Sequence, residues 1–128
     1  MPCRVALARD LHEEVAALLA QGKVVGWVRG RMELGARALG ARSILADPRV
    51  ADMQSVLNLK VKFRESFRPF APAILAEECA AWFDTAEPSD FMQYTAYLKP
   101  GRRYPAPATL RGLRERLDFR RCEVPMFP

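Results

Sequence analysis

The sequence predicts a small domain of the α/β or α+β class, and three observations lead there. Segments of helical period alternate with short apolar, β-prone runs along the 128 residues. Hydrophobic residues make up 50% of the chain and charged residues 27%, an ordinary globular balance that excludes general disorder. The longest uninterrupted apolar run, Val15–Ala20, has six residues, whereas a membrane helix needs about 20. The opening MPCRVALARD has no signal-peptide core, so a cytoplasmic location is expected.

Asp10 followed by Glu13 has the form of a capping box. Leu11, Val15, Leu18 and Leu19 then follow helical spacing, and Gly22 stands where a C-terminal cap belongs, so residues 10–22 read as a helix. Val24–Val28 reads as a short buried strand. Residues 29–46 mix glycines and turn residues with arginines and read as loop with at most short regular pieces. Asp47-Pro48 is a helix start, since Asp caps and Pro suits the first turn. Met53, Val56, Leu57 and Val61 share one face of that helix, which runs to about residue 61. Residues 70–75 are apolar but carry Pro72, which suits an edge strand or extended segment. Glu77–Phe83 reads as a short helix, and Phe91–Leu98, aromatic and β-prone, as a strand. Pro100, Pro105 and Pro107 make 100–107 an extended loop. Thr109 caps a last helix with Leu110, Leu113 and Leu117 as its apolar seam.

The 20 basic and 15 acidic residues leave a net charge of +5, which favours anionic partners such as phosphorylated metabolites, nucleotides or RNA. The charge is focused. Residues 29–42 carry +3, residues 60–68 carry +3 and residues 102–121 carry +5, so the remainder is acidic. The third window lies opposite the leucine seam and reads as the wet face of a helix. The first two differ in kind. In residues 30–43 arginines alternate with glycine and alanine. Small residues let backbone N–H groups approach an oxyanion, and Arg supplies two-pronged recognition of phosphate. In residues 62–69 cations interleave with Phe63 and Phe67, rings suited to fixing the segment in the core. Glu33 and Glu65 are placed to orient arginines. Solvated basic loops tied down by Phe and Leu are the alternative reading of both stretches. Cys3, Cys79 and Cys122 are too few and too spread for a disulfide framework or zinc site, and His12, the sole histidine, sits at a helix start.

The stretches GRMELGARALGARSILADPR (30–49) and NLKVKFRESFRPFAPAIL (58–75) resemble the C-terminal domain of the O-carbamoyltransferases, a family that includes nodulation-factor and antibiotic carbamoyltransferases. Two long motifs in the right order carry the resemblance, which covers residues 10–98 and fades afterwards. It implies a partial YrdC-like domain, with a mixed sheet and flanking helices, over residues 1–98, and a Pro/Arg-rich tail over 99–128. It also implies an activity: carbamoyl phosphate and ATP, with Mg²⁺, form carbamoyl adenylate. A separate N-terminal transfer domain, absent from this chain, passes the carbamoyl group to a hydroxyl acceptor. By motif position, Arg37, Lys62 and Arg68 are implied as phosphate and carbamoyl-phosphate ligands, with Arg31, Arg42, Ser43 and Arg64 as supports.

Ala36, Ala41 and Ser66 depart from the family's usual proline, asparagine and proline, and two later family segments, T-H-x-D-G-x-x-R and N-T-S-F-N, are missing. The chain is therefore expected to be a fragment that keeps binding groups without a complete active site, with no metal site of its own. Two other functions fit the composition. One is a basic RNA-binding module, disfavoured by the lack of an aromatic stacking motif. The other is an inactive subunit that docks on a transfer domain.

Overall fold

A computed structural model describes residues 7–85 and 87–124. Helix and strand coexist as the sequence predicts, in an α+β arrangement of one antiparallel strand pair and four α-helices among the described residues. Cys3 lies outside those residues.

Helix α1 (Leu11–Ala20) starts at its predicted cap: the Asp10 carboxylate accepts the backbone N–H groups of His12 at 3.1 Å and Glu13 at 3.2 Å. It stops in a Schellman pair, with the Gly22 N–H donating to Leu19 O at 2.8 Å and the Lys23 N–H to Leu18 O at 3.0 Å. Gly22 needs its φ of +73° for that turn, a conformation that penalises a Cβ. Val15 and Leu19 are the half-buried positions of the helix and share an apolar hollow with His12, Ala16, Trp27 and Leu45.

Strand β1 (Val25–Val28) pairs antiparallel with β2 (Arg42–Leu45), Val25 opposite Leu45 and Val28 opposite Arg42. The second strand is one of the short regular pieces within 29–46. Its start, Arg42-Ser43, is polar, so no apolar alternation marks it in the sequence.

The helix expected from Asp47 begins later, as α2 (Met53–Val56), and continues as a π-helical turn, Leu57–Val61. Asp47 folds a turn instead. Its carboxylate accepts the Arg49 backbone N–H at 2.9 Å and pairs with the Arg49 guanidinium at 2.6 Å. Met53 and Leu57, 2% and 3% exposed, form the main core with Val24, Ala46, Val50, Val56 and Phe70 packed around them. Helix α2 thus joins the end of the strand pair to the segment that follows residue 62.

Residues 70–75 form neither strand nor helix, and a 3-10 turn, Ala76–Glu78, leads into α3 (Cys79–Trp82), as the predicted short helix requires. The predicted strand 91–98 does not form. Only its end pairs, Leu98 with Phe83, and the Lys99 N–H donates to Trp82 O at 2.8 Å. Its aromatic rings account for the misreading: Phe91, Tyr94 and Tyr97 are β-prone in type but 67–78% exposed, so no packed face holds them in a sheet. The chain then returns through an Arg103–Cys122 bridge, and Leu98, Cys122 and Val124 make a second small core against Trp82 and Phe83. Arg102 closes it, stacked 4.0 Å from the Trp82 ring centre and paired with Glu123 at 2.7 Å. Helix α4 (Leu113–Asp118) starts at Gly112 rather than at Thr109, because the Glu115 carboxylate reaches back to the N–H groups of Arg111 and Gly112. Its expected seam is open: Leu113 is 75% and Leu117 46% exposed.

Candidate anion-binding site

The two basic stretches form two loops, each fastened from inside by a polar side chain. The first spans residues 29–41 between β1 and β2, and its neck closes where the Arg29 N–H donates to Ala41 O at 3.0 Å. Glu33 fills its interior, its carboxylate accepting the N–H groups of Leu39 at 2.8 Å and Ala41 at 2.9 Å. Between them the Gly40 N–H donates to Ser43 Oγ at 3.1 Å. Arg42 fastens the opposite rim. Its Nη2 donates to Gly35 O and, at 3.1 Å, to Arg37 O, while its Nε lies 3.9 Å from Glu33. The N–H groups of Leu39, Gly40 and Ala41 are thus taken by the protein's own carboxylate and hydroxyl. An incoming anion would not find these three donors free.

The second loop, residues 62–68, hangs on α2 and its π turn. Gln54 and Asn58, four residues apart on one helix face, hold its carbonyls. Asn58 Nδ2 donates to Ser66 O at 3.0 Å and Arg68 O at 2.8 Å, and Gln54 Nε2 donates to Arg68 O at 3.1 Å. Asn58 Oδ1 accepts from Arg64 Nε at 2.6 Å, and the Arg64 guanidinium lies 4.8 Å from the Phe70 ring centre. Asn58 is 0% exposed and is the polar centre of this half. It can be traced in the sequence only as the second of two amides at helical spacing beside an apolar stripe.

Phe63 and Phe67 do not enter the core, being 85% and 56% exposed. Phe70, just after the loop, is partly buried and packs against that core. Phe63 also carries a positive φ of 50°. It stands just past the π turn, where the Arg64 N–H returns to Asn58 O at 2.9 Å. This is the left-handed stop normally given to glycine, and a side chain there costs about 1–2 kcal/mol.

The seven cation and hydroxyl positions singled out in the sequence divide into two groups. Arg42, Ser43 and Arg64 are half-buried and engaged in fastening the loops, and Arg68 is exposed but paired with Glu65 at 2.7 Å. Arg31, Arg37 and Lys62 are exposed, with no ion-pair or hydrogen-bond partner for their side chains among the described residues. Of the two carboxylates expected to orient arginines, Glu65 does so, whereas Glu33 holds backbone first and Arg42 second. Neither the apolar hollow beside α1 nor a polar one at Gly101, Arg102, Tyr104 and Glu123 includes a residue of these loops.

Three acids that fasten this frame are held below the usual carboxylate range. The Arg49 guanidinium does this to Asp47, the N–H groups of Leu39 and Ala41 to Glu33, and its own backbone N–H with Arg68 to Glu65. A lowered folded-state pKa stabilises the fold above the unfolded value of about 4, and that contribution is lost as pH falls through the folded value. The melting temperature should therefore hold steady from neutral pH to about 4.5 and drop steeply below it. The Asp47→Asn variant should melt lower at neutral pH and show a shallower acid drop. Parallel acid limbs for variant and parent would show that Asp47 contributes nothing to the drop.

The chain matches the family described as Carbamoyltransferase C-terminus over residues 16–112, a span that contains both loops. It belongs to that family. An uncharacterized protein of Synechocystis sp. is 50% identical over 119 residues, which are 91% of this chain and 19% of that protein. Nodulation protein NolO of Bradyrhizobium diazoefficiens is 52% identical over 75 residues, 59% of this chain and 14% of its own length. A 3'-hydroxymethylcephem-O-carbamoyltransferase of Amycolatopsis lactamdurans is 42% identical over 83 residues, 65% of this chain and 16% of its own. The chain thus spans less than a fifth of the length of these relatives. No helix among the described residues is long and apolar enough to cross a membrane.

Proposed function

We propose that this chain supplies the carbamoyl-phosphate and nucleotide subsite of a carbamoyltransferase. In this reading carbamoyl adenylate forms there, and a separate transfer domain passes the carbamoyl group to a hydroxyl acceptor. One observation carries the reading: Arg31, Arg37 and Lys62 have no side-chain partners among the described residues, on loops whose backbones are already fastened. Two phosphorylated anions bound side by side need cations to offset their repulsion, and loops with fastened backbones carry them here. Arg68 can join by exchanging its exposed Glu65 partner for phosphate, a small loss for a surface pair. Among the described residues no three His, Cys, Asp or Glu side chains gather as a metal cage. In this reading a magnesium ion arrives with the nucleotide. A cytoplasmic setting is part of this reading.

Calorimetric titration with carbamoyl phosphate, and with ATP and Mg²⁺, tests the reading. Arg37→Ala and Lys62→Ala should each weaken binding by about 1.5–3 kcal/mol, the range for hydrogen bonds to charged groups. Arg68→Ala should cost less, because Glu65 already neutralises it. Unchanged affinity in both Arg37→Ala and Lys62→Ala would overturn the assignment.

Docking on a transfer domain is favoured by a separate observation. Leu18, Val28, Met32, Leu34 and Leu113 are between 42% and fully exposed, apolar side chains that a docked partner would cover.

A further inference from the structure

We infer that Phe63 is the nucleobase platform of the proposed site, stacking on the adenine of the nucleotide whose phosphates Lys62 and Arg37 hold. The inference rests on the anion-binding reading above and names the group that distinguishes a nucleotide from a bare phosphate.

Two features of Phe63 are unfavourable in the chain by itself. Its backbone sits at φ 50°, where glycine would be free of strain. Its ring is 85% exposed and gains nothing from burial in return. Neighbouring geometry fixes the position: the Lys62 N–H donates to Leu57 O at 2.9 Å and the Arg64 N–H to Asn58 O at 2.9 Å, so the turn is clamped on both sides of the residue. A strained position kept by its surroundings is a mark of function when the side chain has an external task. The neighbours point to that task. Lys62, adjacent in sequence, is a cation without a side-chain partner among the described residues, whereas Arg64 is drawn back over Phe70 and away from competition for the Phe63 face. An exposed ring on a clamped backbone, next in sequence to that cation, offers a flat apolar surface on the loop that carries the phosphate anchor. An exposed aromatic of this kind binds a base through its π-face, without reading its hydrogen-bonding edges. The site should accordingly prefer nucleoside triphosphates over inorganic triphosphate while discriminating weakly among bases.

The test uses the full 128-residue chain, titrated with ATP, GTP and inorganic triphosphate in the presence of Mg²⁺. The wild-type chain should bind ATP about tenfold more tightly than triphosphate, and GTP within a few-fold of ATP. Phe63→Gly removes the ring and relieves the strain together. It should melt at or above the wild-type temperature, lose about tenfold in ATP affinity and keep its triphosphate affinity. Phe63→Tyr should retain ATP binding. Equal affinities of the wild-type chain for ATP and triphosphate, or a Phe63→Gly variant that binds ATP as well as wild type, would overturn the platform and leave the anion site standing. Equal losses for ATP and triphosphate in Phe63→Gly would make the residue structural and also overturn the platform. Failure of the wild-type chain to bind any of the three would overturn both readings.

Discussion

Leu57→Ala should abolish cooperative unfolding of this chain at about 37 °C. Leu57 and Met53 are the buried pair at the centre of the main core, where the end of the strand pair, the turn at Val50 and the Phe70 segment meet. Truncating a buried leucine costs about 2–5 kcal/mol, through lost transfer energy and the cavity left behind. Single domains have about 5–15 kcal/mol in total, and a chain with so few buried side chains sits at the low end. Urea unfolding followed by circular dichroism should show a sloping baseline in place of a transition for Leu57→Ala. Leu57→Met, which conserves volume, should keep the transition with a loss of less than about 1.5 kcal/mol. A Leu57→Ala transition displaced by less than about 1 kcal/mol would show that these residues do not form the stabilising core.

The neighbouring residue should fail differently. Asn58→Ala leaves Ser66 O and Arg64 Nε without their side-chain partner and Arg68 O with Gln54 alone. A buried polar group without a partner costs about 1–3 kcal/mol, and part of the loss is recovered as the loop swings into water. The net destabilisation should be about 2–4 kcal/mol. The more telling result is local. Residues 62–68 should become mobile, with trypsin cutting after Lys62 and Arg64 well before the rest of the chain. Asn58→Asp should be no better, since a carboxylate faces two carbonyls it cannot donate to, although it can still accept from Arg64. A variant that resists trypsin at these sites as the parent does would remove Asn58 from its role as the fastening of the loop.

These two adjacent residues show what was legible in the sequence. Leu57 belongs to an apolar stripe whose period is visible without a structure. So are the Asp10 cap, the Gly22 stop and the two basic motifs, each a local pattern with a local cause. Asn58 was not legible as a buried hub, because its partners are backbone carbonyls, and every residue has one. Strand β2 was hidden for the same reason: its pairing is a backbone event beneath a polar Arg42-Ser43 start. The aromatic stretch 91–98 erred in the other direction. Its residue types favour a strand, but strand formation needs a packed face, and the described residues offer none. The candidate cations were found by motif, yet the division between those that fasten and those that remain free depends on Glu33, Asn58 and Glu65, whose partners the sequence alone did not reveal.

The fastening of the first loop carries an evolutionary consequence. Glu33, Ser43 and Arg42 hold only main-chain atoms within it, plus one another, so its shape is indifferent to the side chains at positions 31, 32, 34 and 37. Those four are all exposed. Mutations there can change what the loop touches without changing how it is folded, so selection on ligand choice is uncoupled from selection on stability. A lineage can exchange substrates, or lose the need for one, by drifting through outward-facing substitutions while the inner frame remains intact.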